Sequence, residues 1–313
     1  VGTNYSMSLA DKISYNESSS EKYGWKPSWF GSDDYKINEE FIDLVADWQR
    51  ERGLTDDSLI GPSTYKTIWL EREENISQSQ PGACGVEVNT IVHNGHHFPI
   101  DWDNVVLWDE ESGLKCDSGN YTSRAGKEDR KPTHFVNHWD VCLSTESMAR
   151  VINRRGVSIH FGIDNDGTIY QLLDTQHRAW QAGHKYGNRD GIGIEIANAY
   201  YTKYQDTYVK RGHGERPIWD TAEVHGKTLD PFLGFYPVQL EALKALWKAI
   251  HLACDIPVEC PTDENGELIT TVDDDCNNGK FKGFICHYHL TRRKIDCAGL
   301  DLVGLCDDVK SML

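Results

Sequence analysis

The sequence predicts an α/β or α+β sheet domain preceded by a small helical unit, and three observations carry that reading. Short apolar, β-branched runs at 133–139, 157–163, 168–173, 192–197 and 281–287 have the length and composition of strands. One long amphipathic helix is legible from about 237 to 253, with Leu240, Leu243, Leu246, Trp247 and Ile250 on one face and Pro237 in its first turn. Near the start, apolar residues recur at helical spacing, and a polar, breaker-rich stretch divides them from the strands.

Taken in order, residues 1–34 are polar, with aromatics at Tyr23, Trp25, Trp29 and Phe30 and no strong periodicity. Phe41, Leu44, Val45 and Trp48 then mark a helix, with Asn38 as its N-cap and Gly53 as its stop. A second short helix is expected from Pro62 or Ser63, carrying Tyr65, Ile68 and Trp69. Residues 71–88 read as a linker, so the expected organisation is a helical domain over 1–75, a linker over 76–90 and a larger domain over 91–313. Within the larger domain, Asn165-Asp166-Gly167 between two apolar runs is a hairpin signal.

Composition narrows the function classes. Asp+Glu number 49 against 32 Lys+Arg, a formal net charge of -17, which argues against a nucleic-acid-binding surface. The one dense basic run is Arg292-Arg293-Lys294. No window approaches 18 consecutive apolar residues, so no membrane span is expected. The first residues, Val1-Gly2-Thr3-Asn4, have neither a basic segment nor an apolar signal core. Export is therefore expected after leader removal, or by another route such as a phage holin or a dedicated secretion machine.

Nine cysteines form an odd set. Cys297 is wanted as a thiolate ligand, and the other eight can pair. Cys260 and Cys276 bracket an acidic loop with no core of its own, so a disulfide between them makes physical sense. Cys142 and Cys286 sit in apolar surroundings, where buried free thiols fit equally well.

The residues that carry chemistry lie far apart in the chain. His138 ends the apolar run Phe135-Val136-Asn137, and His287 ends Phe284-Ile285-Cys286, with Cys297 ten residues later before the Ala298-Gly299 turn. Two histidines and a thiolate can hold one zinc and leave its fourth position open, the pattern of a catalytic metal. Glu195 stands in the otherwise apolar or glycine run Gly191-Ile192-Gly193-Ile194-Glu195-Ile196. An unpaired carboxylate there is costly to bury, so it should line a cleft or meet a cation.

Residues 133–303 resemble the zinc-dependent N-acetylmuramoyl-L-alanine amidases, the superfamily that includes phage amidases and animal peptidoglycan recognition proteins. The resemblance rests on the His-terminated first strand and on His160-Phe161-Gly162-Ile163-Asp164-Asn165-Asp166-Gly167-Thr168-Ile169-Tyr170-Gln171. It continues through Arg178-Ala179-Trp180-Gln181-Ala182-Gly183, Ile192-Gly193-Ile194-Glu195 and the His287 to Cys297 segment. It implies a central mixed β-sheet flanked by helices, a Zn2+ cofactor and a peptidoglycan substrate cut between N-acetylmuramic acid and L-alanine.

Carried over residue by residue, the resemblance implies His138, His287 and Cys297 as zinc ligands, with His289 the competing second histidine. It implies Glu195 as the catalytic acid and base, and Trp180, His184, Asn188 and His160 as substrate contacts. One branch of the family places a lysine two residues before the third ligand. Ile295 stands there, the clearest departure from the family pattern, so Lys294 or Arg293 is expected to supply the oxyanion charge instead.

The helical segment resembles the small peptidoglycan-binding domain found beside many cell-wall hydrolases, through Val45-Ala46-Asp47-Trp48-Gln49, Gly53-Leu54 and Asp57-Ser58-Leu59-Ile60-Gly61-Pro62-Ser63-Thr64. Ser58 replaces the first glycine of that pattern. The whole implies a secreted or phage-released wall hydrolase, antimicrobial in effect, with an immunity protein as partner if it is deployed as a toxin. Two rivals are a non-catalytic recognition protein, and a thiol peptidase using Cys297 with His287 or His289. The insert from about 84 to 131 and the loop between Cys260 and Cys276 have no recognised counterpart.

Overall fold

The computed structural model describes residues 7–23, 25–30, 36–61, 63–65, 67–68 and 89–313. They fall in two compact units, Val1–Glu87 and Val88–Met312. Most of the expected linker lies outside the described residues, as do Pro62, Trp69 and Cys84.

The first unit contains a helix the hydrophobic pattern does not announce, α1 (Leu9–Tyr23). It docks through polar atoms. The buried Asn16 donates from Nδ2 to Ser58 O at 2.8 Å and accepts from Ile60 N at 2.8 Å. Ser19 Oγ donates to Ile60 O and accepts from Trp25 Nε1. The next helix, α2 (Glu39–Glu51), follows expectation, with Asn38 capping Phe41 N. Residues 63–65 and 67–68 are helical, as expected of the second short helix. Trp25, Phe30, Phe41, Val45, Trp48, Ile60, Tyr65 and Ile68 form the core. Gln49 is buried there, donating to Asp57 Oδ1, Leu59 O and Thr64 Oγ1 and accepting from Ser58 N, so one side chain ties the helix to the loop that follows it. Ser58 has φ +65°, the left-handed region that glycine favours.

The second unit is built on a six-stranded mixed sheet. Its strands are β1 (Val105–Leu107), β2 (His134–Trp139), β3 (Phe161–Ile163), β4 (Ile169–Gln171), β5 (Gly191–Ile196) and β6 (Gly283–Cys286). They lie in the order β6-β2-β5-β3-β4-β1, and every neighbouring pair is parallel except the β3–β4 hairpin. That hairpin turns through Asn165-Asp166-Gly167, with Gly167 at φ +85°. The 157–163 run contributes only its last three residues as strand, because Ser158 and His160 bond instead to Trp180 and Leu172.

Helices cover the sheet. They include α3 (Thr145–Arg155), α4 (Lys185–Arg189), α5 (Pro237–Cys254) and α6 (Leu302–Ser311). Trp247 of α5 stacks on Phe284 at 4.3 Å, and Phe284 meets Phe135, so the α5 face is aromatic and dry. Strand alternation then turns His138 and Glu195, paired across β2 and β5, to the opposite face. α3 packs beside them, with Thr145 and Met148 crowding Gly162. The insert before β2 contributes an antiparallel hairpin, Thr90–His93 with His96–Pro99, turning at Asn94-Gly95.

The disulfide expected between Cys260 and Cys276 is not formed. Cys260 and Cys276 are both free thiols. Cys260 hydrogen-bonds to the thiol of Cys306, beside the Lys310–Glu259 ion pair at 3.3 Å. Cys276 instead packs with Val136, Ala182, Ile285 and Leu290.

Buried histidines set the acid response. Burial pushes His134 and His289 down to about 4 and His160 to about 3, while unfolded histidine titrates near ~6.5. The unfolded chain therefore binds more protons as pH falls from ~6.5 toward 4, and stability drops by about 1.4 kcal/mol per pH unit for each histidine. Asp140, which burial raises to about 7, acts oppositely. Its stabilisation is complete below ~4 and is lost as pH rises to 7, so it offsets part of the loss. Denaturant unfolding at pH 7 and pH 5 should show lower stability at the lower pH; equal stability would contradict this assignment.

Candidate active site

The parallel strands β2 and β6 end side by side, Cys286 lying opposite Asn137. His138 on β2 and His287 just past β6 therefore meet at the carboxyl edge of the sheet, their rings 4.4 Å apart and nearly perpendicular. The chain turns through a short 3-10 helix, His287–His289, and brings Asp296 back between them. Asp296 Oδ2 lies 2.9 Å from His138 Nδ1 and 3.0 Å from His287 Nδ1. The three candidate ligand atoms lie within 4.8 Å of one another, and all three residues are buried.

The partners on the far side of each ring decide what this group can hold. His138 Nε2 faces Gln181 Oε1 at 3.0 Å, and His287 Nε2 faces Ala182 O at 2.9 Å. Gln181 donates its own Nε2 to Gly187 O, which fixes the direction of the amide. Both Nε2 atoms thus meet pure acceptors and must carry the ring proton. In the neutral rings both Nδ1 lone pairs then point at the carboxylate, an arrangement that calls for a cation between them. Doubly protonated rings are the alternative, but burial and the neighbouring His287 push His138 down. Burial alone would raise Asp296, yet its hydrogen bonds with His138 and His287 hold it far below the usual carboxylate range. The donor set of two imidazoles and one carboxylate fits zinc with an open position.

Glu195 stands directly across from His138 in the ladder. Burial, then the nearby Asp140 and Asp296, push its carboxyl well above the ordinary range, and Lys294 pulls the other way. Its Oε2 is buried with no hydrogen-bond partner among the described residues. Gln181 lies over Gly193, and a Cβ on that glycine would sit 1.5 Å from Gln181 Oε1.

Residues 128–260 match the family model described as N-acetylmuramoyl-L-alanine amidase. Residues 128–260 are an N-acetylmuramoyl-L-alanine amidase domain. The match includes His138 and Glu195, and the fold brings His287 and Asp296 to them from beyond its end. Among solved structures, the amidase is similar to a mutant endolysin from Bacillus subtilis, at 17% identity over 67% of this chain and 98% of that one, TM-score 0.34. It is also similar to the amidase LysC from Clostridium intestinale, at 14% identity over 67% and 99%, TM-score 0.36. A third is the Staphylococcus aureus hydrolase AmiA in complex with its ligand, at 10% identity over 66% and 83%, TM-score 0.38. No curated protein matches the chain.

The amidase differs from expectation at several residues. Cys297 is not in the ligand group; its side chain is fully buried, with the thiol against that of Cys286. Burial and that neighbour push the Cys297 thiol well above its ordinary value, the opposite of what a nucleophilic thiolate needs. Asp296 instead completes the candidate group, and Lys294 stands two residues before it. His289 turns away, accepting from Cys286 N at 2.9 Å and donating to Ile269 O at 2.7 Å.

The expected substrate contacts also divide. His160 is fully buried, bonded to Gly193 N and to His177 O, so it braces β5 and is out of reach of a substrate. Asn188 accepts from the backbone of Gln181 and Ala182 and holds the loop that presents them. His184 caps α4 and donates to Asn277 Oδ1. Trp180 is 39% exposed, anchored through Nε1 to Thr122. Among the described residues, no helix is long and apolar enough to cross a membrane.

Proposed function

We propose that the amidase holds a zinc ion between His138 Nδ1, His287 Nδ1 and Asp296, and that this centre cuts the bond between the lactyl carbonyl of N-acetylmuramic acid and L-alanine. The observation that carries the proposal is the convergence of three acceptor groups on one point, with both distal ring nitrogens already committed to carbonyl oxygens. Zinc, when bound, supplies the Lewis acidity that makes water a nucleophile near neutral pH. Glu195 takes a proton from the attacking water at its unpartnered Oε2 and returns it to the L-alanine nitrogen as the C–N bond breaks. Lys294 Nζ faces the carbonyl oxygen as negative charge develops there. Trp180 and His184 border the substrate path.

Residues 1–75 are read as the wall-binding unit, on the motif that Gln49 anchors. The protein then acts at the cell wall, reached by secretion or by release at lysis.

Digestion of purified sacculi tests the reaction. Stem peptides with free amino-terminal L-alanine should be released, cease on chelation and return with zinc. Sacculi bound but uncut in every condition would leave a recognition protein, and cutting that survives chelator but fails after alkylation would mean a thiol peptidase.

Gly193 and Gln181 give a second test. Gly193→Ala displaces the Gln181 amide and frees His138 to rotate, at little cost to folding because the displaced atoms end a flexible side chain. Zinc affinity by competition with a chromophoric chelator should fall roughly 10- to 100-fold, the usual effect of losing an outer partner of a ligating histidine. Unchanged affinity would mean that Gln181 does not orient the ring.

A further inference from the structure

Beside the proposed zinc ligands lies an open cleft of about 570 Å³. Its lining includes His184, Asn277, Arg292, Arg293 and Lys294 and contains no carboxylate, on a chain whose formal net charge is -17. The three cations are exposed and consecutive, and none forms an ion pair among the described residues. Elsewhere Arg50, Arg150, Arg189 and Lys244 each sit against a carboxylate. Three neighbouring like charges without counter-charge create a local positive field that a bound anion relieves.

The cleft adjoins the reaction centre. Ala182, in its lining, accepts the His287 ring proton, and the charge of Lys294 reaches Glu195. On its other wall His184 occupies Asn277 Oδ1, which leaves the Asn277 Nδ2 group without an acceptor among the described residues. The charged side chains of the cleft therefore offer only donors and positive charge to whatever extends from the cut bond. Of the two halves of the substrate, the stem peptide carries carboxylates, unless they are amidated, while the glycan carries hydroxyl and acetamido groups.

We infer that this cleft is the stem-peptide subsite, and that Arg292 and Arg293 read a free carboxylate downstream of L-alanine, making amidated stems the poorer substrates. The inference rests on the amidase reading above for the identity of the substrate. Guanidinium pairing to a carboxylate can be bidentate, which gives it geometric as well as electrostatic selectivity.

The test compares N-acetylmuramoyl-L-alanyl-γ-D-glutamyl-L-lysinamide with its D-isoglutaminyl counterpart, which differ only in whether the glutamate α-carboxylate is free or amidated. Dissociation constants are measured on the full-length, zinc-loaded Glu195→Gln variant, so that binding is read without turnover. The acid should bind roughly tenfold tighter at low salt. That preference should shrink as salt rises. Adding Arg292→Gln and Arg293→Gln should bring the two constants together. Equal affinity for both ligands at low salt, or a preference that survives loss of both arginines, overturns the inference. Turnover of the same pair by the wild-type protein separates the two readings. Discrimination in binding without cleavage of either would remove the proposed reaction and leave the subsite standing.

Discussion

Asp296→Ala should lose zinc and lower kcat/KM on sacculi on the order of a thousandfold, while Cys297→Ala keeps both metal and activity. The contrast follows from where the two adjacent side chains point. Asp296 Oδ2 is within 3.0 Å of both Nδ1 atoms, whereas Cys297 is turned into the interior against Cys286. Loss of the carboxylate removes the one anionic ligand, and with it the several kcal/mol of transition-state stabilisation that a bound metal gives. Loss of the thiol leaves a small cavity, costing about 1 kcal/mol of stability and nothing in metal binding. Zinc content after dialysis, read beside the rate, checks both. A Cys297→Ala protein that loses zinc while Asp296→Ala retains it would reverse the assignment.

Glu195→Gln should cut kcat by roughly 10²- to 10⁴-fold while zinc stays bound, because glutamine has nearly the shape of glutamate but cannot carry the proton. Its neighbours explain why the loss falls on kcat. Glu195 is opposite His138 in the ladder yet outside the ligand group, and its Oε2 has no partner to lose. Substrate affinity should therefore change little, giving a fall in kcat at nearly constant KM. A variant with full kcat would show that another group carries the proton.

Much of this was legible in the sequence where a regular period governs side-chain direction. β2, β5 and β6 were read from apolar runs, and the alternation that turns His138 and Glu195 to one face follows from strand geometry. The amphipathic α5 and the capped α2 were equally plain. Where no period applies, side-chain direction is not written in the spacing. Asp296 and Cys297 lie in an irregular loop, and nothing in a spacing count tells which of two adjacent residues points inward. The lysine at 294 is the signal that favours Asp296, since it restores the two-residue offset. His289 likewise becomes structural only once its bonds to Cys286 and Ile269 are seen.

Polar packing was the other blind spot. α1 is held by Asn16 and Ser19, so a search for apolar periodicity passes over it. The Thr90–Pro99 hairpin, by contrast, carries Asn94-Gly95, a strong turn signal that the unfamiliar sequence around it obscured. Cys260 finds Cys306 rather than Cys276 because α6 returns from far along the chain to pack on α5 and brings Cys306 with it.

Anomalous diffraction at the zinc edge, from crystals of the full chain grown with zinc, tests the central claim most directly. The account predicts one strong peak about 2.0–2.2 Å from His138 Nδ1, His287 Nδ1 and an Asp296 carboxylate oxygen. A peak bonded to Cys297 Sγ or His289, or none beside His138, would contradict it.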